Sequence, residues 1–291
     1  MKIRIDKFKI PQAVVTLTLS QALSFPAFTA SLEGFISNRD SATVMIEGNE
    51  FVAIDDMLFP LLETQGYLGD RVRLWPDGRI IYVIEQCKNG QTTNCFTEVE
   101  KSYIESSMSD LTTQVGGAVV FIPRSTQPNY LRIRRVDEDV TWAGRATVGY
   151  LRGPYMELAK DYVTSNRTVK HELLHVLGIG HEHQRPDRNR FISVKKSGHN
   201  YDQIGSAWVY TAYDFCSVMH YGQYDSEGKK WFDIISESPA CFPGQSTMSA
   251  DDIRQIVRMY GNQDDLSNTF STDCSQITPP LSSTIFEECP Q

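Results

Sequence analysis

Apolar side chains recur at helical spacing in two parts of the chain. The first group consists of Val99, Tyr103, Ile104, Met108 and Leu111, and it predicts an amphipathic helix over residues 98–112. A second apolar stripe predicts a helix over 166–177, where Thr164 and Ser165 precede the stripe as possible N-caps.

One more helix and several strands complete the pattern. Ser249 and Asp252 have the spacing of a capping box, so we expect a final helix that ends before Gly261. Apolar runs predict strands at 79–84, 118–122 and 130–134, and the turn sequence Pro-Asp-Gly precedes the first of them. The turn and the first strand place the start of the main domain near residue 70.

Charge divides the chain into segments. Its 291 residues carry 28 Lys and Arg against 36 Asp and Glu, a net charge of −8, which argues against a nucleic-acid-binding protein. Six acids and no Lys or Arg lie within 41–70, and five acids and no Lys or Arg lie within 262–291. We therefore expect an acidic leading segment at 31–69, a nearly neutral domain at 70–261 and an acidic tail rich in Ser, Thr and Pro at 262–291.

The first 30 residues allow two interpretations. Lys2, Arg4, Lys7 and Lys9 precede apolar stretches, as in a secretory signal, but a short amphipathic arm fits as well. No stretch is apolar for long enough to span a membrane, so we expect no membrane attachment in the mature form. Because the first residues resemble a signal, we expect a secreted or exported protein.

Six cysteines allow 15 pairings. Proximity along the chain favours three disulfides: Cys87 with Cys95, Cys216 with Cys241, and Cys274 with Cys289. Buried reduced thiols are the alternative if the protein is not exported.

The candidate chemistry lies in the sequence His171-Glu-Leu-Leu-His-Val-Leu-Gly-Ile-Gly-His181. His171 and His175 are four residues apart on the predicted helix, so both rings can reach one ion. Gly178 permits the left-handed turn that ends the helix and returns His181 as a third ligand. Three imidazoles suit one catalytic Zn²⁺ with an open position. Glu172, beside them, is placed to act as the general base of amide hydrolysis.

These residues also carry a family resemblance. The motif HELLHVLGIGHEHQRPDRNRF, with YDFCSVMHYG further on, resembles the astacin metallopeptidases of the metzincin clan. The resemblance implies that Met219 forms a hydrophobic floor under the metal. It also implies that Tyr221 ligates the resting zinc and then stabilises the oxyanion, and that Glu182 receives the buried mature N-terminus.

The resemblance further implies a metzincin-type α+β domain of two subdomains. A twisted mixed sheet would lie beside a zinc-binding helix at the floor of a cleft. Extended protein or peptide substrates would add to a free sheet edge around Gly153, Met156 and Leu158, and the enzyme would act as a monomer.

The chain departs from the family pattern in its leading segment. Where a propeptide aspartate is expected to block the zinc, Asn49 stands in Ile46-Glu-Gly-Asn, which leaves Glu47, Glu50 or another group as the substitute. The chain has no Lys or Arg between Arg39 and Arg71, so processing after a basic residue is not expected there.

Other departures from the family pattern concern the disulfides and the substrate specificity. Ala118, Asp139 and Val163 stand near positions where the family has cysteines, so its disulfides do not carry over. Ser246 replaces the arginine of relatives that prefer acidic residues after the scissile bond, so we expect no strong acidic preference at that subsite.

Two other functions compete with a zinc endopeptidase. An inactive relative would use the cleft only to bind a peptide or partner, although such a protein has no need to keep Glu172. A hydrolase of another amide, such as a cell-wall crosslink, would also use the motif.

Overall fold

A computed structural model describes residues 42–60, 73–195, 199–204, 211–225, 227–236 and 241–261. The predicted N-terminal arm at 1–30, the acidic tail and the pairing of Cys274 with Cys289 lie outside these residues. Within the described residues, no helix has both the length and the apolar character needed to cross a bilayer.

The described strands form an eight-stranded mixed sheet and a two-stranded one. In chain order they are β1 (Ala42–Ile46), β2 (Asn49–Ile54), β3 (Met57–Pro60), β4 (Arg79–Ile84), β5 (Val120–Pro123), β6 (Leu131–Val136), β7 (Gly144–Thr147), β8 (Tyr155–Ala159), β9 (Ile192–Val194) and β10 (Phe232–Ile234). The order across the large sheet is β1-β2-β3-β7-β8-β6-β4-β5, and β9 pairs with β10. The three predicted strands are confirmed as β4, β5 and β6, with small shifts at their ends.

Three α-helices begin where the capping residues predict. Helix α1 (Glu98–Gln114) has a capping box between Thr97 and Glu100. Ser165 caps α2 (Asn166–Val176), and a capping box of Ser249 and Asp252 opens α3 (Ala250–Tyr260). Each cap satisfies amide groups that have no partner within the helix.

The core lies between α1 and α2 and one face of the sheet. Alternate residues of the strands, such as Ile133 and Met156, meet Ile104, Leu111 and Leu173 of the helices, and all five side chains are buried. Burial of each such side chain contributes roughly 1.5–3 kcal/mol to folding. This packing fixes α2 against the sheet, and α2 carries the predicted metal ligands.

Part of the acidic leading segment belongs to the same sheet. Strands β1, β2 and β3 form an antiparallel meander, and β3 pairs in parallel with β7 through Met57 opposite Ala146. The meander also contacts the sheet away from this edge, because Phe51 packs edge-to-face on Tyr155 with ring centroids 5.7 Å apart. Glu47, in the turn between β1 and β2, pairs with Arg132 and accepts a hydrogen bond from the Tyr155 hydroxyl at 3.2 Å.

The prediction of a free edge around Gly153, Met156 and Leu158 is wrong. Strand β8 has β6 on one side and β7 on the other, and all five of its residues are buried. The edge strand of the domain is instead β7, and in this chain β3 covers its outer side.

Two disulfides brace surface loops. Cys87 pairs with Cys95, and Cys216 pairs with Cys241, as proximity along the chain predicts. The second bond joins the segment that contains Met219 to the loop before α3, so it constrains one side of the candidate site.

Candidate active site

Helix α2 presents His171, Glu172 and His175 in the interior, where all three are buried. The helix ends at Val176, and Gly178 follows with φ of +97°, a conformation that favours glycine. The turn returns the chain over the helix end and brings His181 to the other two histidines, as the sequence predicts.

The Nε2 atoms of the three histidines converge. The Nε2 of His181 lies 3.2 Å from that of His171 and 3.2 Å from that of His175. Each Nδ1 is engaged by an oxygen: Val218 O at 2.9 Å from His171, Ile179 O at 2.7 Å from His175, and Gln184 Oε1 at 2.6 Å from His181.

These oxygens decide which ring nitrogen carries the proton. A carbonyl oxygen only accepts hydrogen bonds, so each Nδ1 donates, and in a neutral ring Nε2 then keeps its lone pair. At His181, burial lowers the pKa, but the charges of Asp56 and Asp55 and the hydrogen bonds to the ring together raise it more, so the net shift is upward. Burial lowers the pKa of His171, and it lowers the pKa of His175 to about 4, which keeps both rings neutral. Three lone pairs that face one another repel unless a cation lies between them, and this donor set fits Zn²⁺.

Asp56, in the turn between β2 and β3, supplies a fourth possible ligand atom beside the three histidines. Its Oδ1 lies 2.9 Å from His181 Nε2 and 3.2 Å from His175 Nε2. Its Oδ2 accepts a hydrogen bond from the Tyr221 hydroxyl at 3.0 Å. One ligand atom from Asp56 and from each of the three histidines lies within 4.8 Å of the others.

The group at the cluster is therefore neither Glu47 nor Glu50 but Asp56, which was not named from the sequence. Glu47 lies at the opposite end of β2 from Asp56, and six strand residues span about 20 Å. Glu50 is exposed on the same strand. The available signal was the pair Asp55-Asp56 between two apolar runs, since acidic residues favour such a turn.

Glu172 is buried, but its Oε2 has no hydrogen-bond partner among the described residues. Burial raises the pKa of Glu172 well above its ordinary value, and the charges of Asp56 and Asp55 add to this effect. A carboxyl group with a raised pKa can both take and return a proton near neutral pH.

The segment around Met219 contacts the histidine cluster on one side and helix α3 on the other. Asp252 of α3 accepts hydrogen bonds from Ser217 Oγ at 2.6 Å and from Val218 N at 2.9 Å. Val218 O then engages His171, so α3 is connected to the ring of a metal-ligand candidate. Met219 is buried in the same core cluster as α2, as expected for a floor residue.

Tyr221 follows this segment and lies against the cluster. Its ring stacks on His183 with centroids 4.3 Å apart, and burial raises the pKa of its hydroxyl well above 10. Tyr221 is therefore neutral at pH 7 and can donate a hydrogen bond.

Comparison with known proteins identifies the family of this chain. The family model described as Astacin, a peptidase family, matches residues 68–261, which is more than half of the chain. The chain belongs to the astacin family.

Two relatives illustrate the range of similarity within the astacin family. Zinc metalloproteinase nas-8 of Caenorhabditis elegans is 31% identical over 205 residues, which are 65% of this chain and 46% of the relative. Astacin-like metalloprotease toxin 1 of Loxosceles intermedia is 28% identical over 208 residues, which are 68% of this chain and 72% of the relative. The chain spans about half the length of several curated relatives that it matches.

A solved structure shares the fold. High choriolytic enzyme 1, a hatching enzyme zinc-protease from Oryzias latipes, aligns with a TM-score of 0.51 at 24% identity, over 65% of this chain and 93% of that chain. The α+β metzincin fold with its mixed sheet is therefore confirmed. The histidine cluster fits the one catalytic Zn²⁺ that the sequence predicts.

Other residues singled out by the astacin resemblance have defined partners. Glu182 Oε1 accepts hydrogen bonds from Arg185 Nη1 at 2.8 Å and from Asp214 N at 2.7 Å. Its role as receiver of a mature N-terminus stays a prediction. Ser246 is exposed, and its carbonyl accepts a hydrogen bond from Asn166 at 2.9 Å.

The remaining described histidines make hydrogen bonds outside the cluster. His183 Nε2 lies 2.8 Å from Asn200 O, and His220 Nε2 lies 2.8 Å from the Tyr213 hydroxyl. Both are buried, in agreement with a packing role. The side chain of His199 lies outside the described residues.

Proposed function

We propose that this chain is the precursor of a zinc metalloendopeptidase that hydrolyses peptide bonds of extended protein substrates. The observation that carries the proposal is the convergence of three histidine Nε2 atoms beside a buried carboxyl group. His171, His175 and His181 would hold the metal. Zinc, when bound, supplies Lewis acidity and lowers the pKa of a bound water.

Glu172 is the general base in this proposal. Its carboxylate takes a proton from the attacking water and later delivers it to the leaving amine. A single carboxyl group performs both transfers because its environment raises its pKa.

Tyr221 is the proposed electrophilic group. Its hydroxyl points at the carboxylate of Asp56, so a donor already faces negative charge at this position. With a substrate in place of Asp56, the same hydroxyl would stabilise the charge that develops on the carbonyl oxygen.

Residues 42–60 keep the precursor inactive in this proposal. Asp56 lies among the metal-ligand candidates where substrate and water must enter, and β3 occupies the β7 edge. We therefore assign 31–69 as a prosegment and 70–261 as the peptidase domain.

Export from the cell is part of the same proposal. The described residues contain two disulfides, and disulfides persist mainly in oxidising compartments. The substrates would accordingly be proteins or peptides outside the cytosol.

The decisive experiment is metal-dependent cleavage of casein. A protease site introduced in place of residues 63–68 allows the prosegment to be cut from the full chain before the assay. We expect cleavage that 1,10-phenanthroline abolishes and added zinc restores. Glu172→Gln should lower kcat by about 10²–10⁴-fold while zinc content stays at one per chain.

Glu138→Gln is the matched control, because Glu138 is exposed and distant from the cluster. It should cleave casein like the parent. Intact casein with a zinc-loaded parent that has been cut and then separated from the released segment would contradict the proposal. Binding of peptides without cleavage would then favour an inactive relative, and cleavage of a cell-wall crosslink alone would favour another amidase.

A further inference from the structure

The face of the large sheet that points away from α1 and α2 carries a surface that the prosegment covers. Because side chains alternate along a strand, Arg132 and Arg134 of β6 lie on this face, while Ile133 between them belongs to the core. Tyr155 of β8 is the register partner of Arg132, whose Cζ lies 5.7 Å from the centre of the tyrosine ring. We call Arg132, Arg134 and Tyr155 the outer-face patch.

The apolar contacts of Tyr155 come from the prosegment. Tyr155 is 2% exposed, and in the described part of the chain every other member of its hydrophobic cluster lies within 42–60: Val44, Ile46, Phe51, Ala53 and Leu58. Removal of the prosegment therefore uncovers an aromatic ring on a face that also carries two arginines. An aromatic side chain of another protein can replace the contact that Tyr155 loses.

The same removal changes the charge balance of the outer-face patch. Glu47 pairs with Arg132, lies 4.0 Å from Nε of Arg134 and accepts a hydrogen bond from Tyr155 at 3.2 Å. Among the described residues, the ion pairs that remain without Glu47 join fewer carboxylates than guanidiniums: Glu85 and Glu157 with Arg132, Arg134 and Arg145. The uncovered patch is therefore positive and attracts an acidic group.

One donor of the outer-face patch is unused even in the precursor. Nε of Arg134 is buried and has no hydrogen-bond partner among the described residues. The oxygens that face it are too distant, since Glu85 Oε2 lies at 3.6 Å and Glu47 Oε1 at 4.0 Å. A carboxylate that enters about 1 Å deeper than Glu47 would accept this hydrogen bond, so the prosegment does not use the full binding capacity of the patch.

The outer-face patch lies outside the candidate active site but within reach of a substrate chain. Glu47 contacts the patch and Asp56 lies in the histidine cluster, while the six residues of β2 between them span about 20 Å. An extended chain covers the same distance in about six residues. A protein bound at the patch can therefore also reach the metal site, whereas a short peptide cannot contact both.

We propose that, after release of the prosegment, the outer-face patch binds protein substrates that carry an acidic side chain beside an exposed aromatic one. The inference rests on the proposed peptidase function. The prosegment itself shows the chemistry of the occupant, because Glu47 contacts the arginine and Phe51 packs on Tyr155. Anchoring at the patch raises the local concentration of the remaining substrate at the metal site. It should lower KM and leave kcat unchanged, since the anchor contributes equally to the bound substrate and to the transition state.

The test compares two fluorogenic peptides that share one scissile bond. One is short, and the other carries the sequence of residues 42–54, which ends before the two aspartates of the next turn. About 12 Gly and Ser residues join the two parts at either end of the short peptide, since such a linker has an average length of about 20 Å. With a zinc-loaded parent, cut and separated from the released segment, we expect a KM about tenfold lower for the linked peptide at the same kcat.

Arg132→Gln should raise the KM of the linked peptide to that of the short peptide, and Arg132→Lys should retain part of the difference. The kcat/KM of the short peptide measures the metal site separately in each variant and so shows that the protein is folded. A linked peptide with Gln in place of Glu47 and Ala in place of Phe51 should have the KM of the short peptide.

Arg79→Gln is the matched control. Arg79 is exposed at the first position of β4, while the patch partner Glu85 follows the last position of that strand. The control removes the same charge from the same sheet and should keep the tenfold difference in KM.

Three outcomes overturn the proposal while cleavage of the short peptide persists. The first is an equal KM for both peptides with the parent, and the second is an unchanged difference in a folded Arg132→Gln protein. The third is binding of a labelled 42–54 peptide, measured by fluorescence anisotropy, without any decrease in KM, because the patch would then serve only to attach the prosegment. Absence of cleavage of casein and of both peptides would overturn the proposed function, and this proposal with it.

Discussion

At the scale of single residues, Gly144 determines where the general base can lie. Gly144 opens β7 and is buried against Glu172. A Cβ atom at this position would lie 2.7 Å from both Cγ and Oε1 of Glu172, which is closer than atoms in real structures approach. The absence of a side chain at Gly144 therefore leaves the space that the carboxylate occupies.

We expect Gly144→Ala to displace Glu172 and to lower kcat by about 10–100-fold, because a shift of about 1 Å in a reacting group has effects of this size. Zinc content should not change, since neither residue is a metal-ligand candidate. Steady-state kinetics and metal analysis of the cut protein measure both quantities.

Gly222→Ala is the matched control, since the nearest atom to its new Cβ is Tyr224 O at 3.9 Å. It adds the same methyl group near the cleft without a clash. An unchanged kcat in Gly144→Ala would contradict this expectation, because it would show that the position of the Glu172 carboxylate does not require the absence of a side chain at residue 144.

At the scale of elements, the N-terminus of α3 supports the metal site through one carboxylate. Asp252 completes the capping box with Ser249 and also binds Ser217 and Val218. Val218 then engages Nδ1 of His171. A helix cap and the orientation of a metal-ligand candidate thus depend on the same side chain.

Asp252→Ala should weaken zinc binding by about 10–100-fold, as loss of groups that orient metal ligands does. It should also lower the free energy of unfolding by roughly 2–4 kcal/mol, since a cap and buried hydrogen bonds are lost together. Competition with a chromophoric chelator measures the first effect, and urea denaturation measures the second.

Asp251→Ala tests whether these effects are specific. Asp251 is in the same helical turn, but its partner is the exposed Arg254. Its loss should change the free energy of unfolding by less than about 1 kcal/mol and leave zinc affinity unchanged. Equal effects of the two variants would contradict the connection through Val218.

The sequence predicted these elements with different success. Periodicity and capping residues located α1, α2 and α3, because both signals are local. The spacing of His171, His175 and His181 around Gly178 predicted the cluster for the same reason. Asp56 and the outer-face patch could not be found in this way, because their contacts join the prosegment to residues 85 to 165 positions away along the chain, a distance that only tertiary structure closes.

The order of strands was the other failure. The substrate edge around Met156 was expected from the family resemblance alone. An apolar run shows that a strand is buried but does not show what lies on each side of it. Only the observed pairing places β8 between β6 and β7, and β7 between β3 and β8.

At the scale of the whole molecule, the prosegment is joined to the domain at two separated places. One is Asp56 in the histidine cluster, and the other is Glu47 with Arg132 and Tyr155. Between them, Phe51 packs on Tyr155. Blocking of the site and attachment of the segment are therefore carried by different residues.

We expect Asp56→Ala to give the uncut chain at least roughly tenfold more activity on a short peptide than the uncut parent, because the metal site becomes open to water and substrate. The segment should remain attached, since Glu47 and Phe51 are unchanged. Asp139→Ala, a change of an exposed carboxylate, is the control and should leave the uncut chain inactive. An uncut parent that is as active as the cut protein would contradict the blocking role.

The two attachment places give the meander β1–β3 the properties of a bivalent ligand. While one place remains bound, the other group is held near its partner at a high effective concentration and rebinds readily. Cutting the chain between the meander and the domain removes the covalent connection but neither contact. We therefore expect cleavage and the onset of the proposed activity to be separate events, with a delay that depends on how far the released segment is diluted.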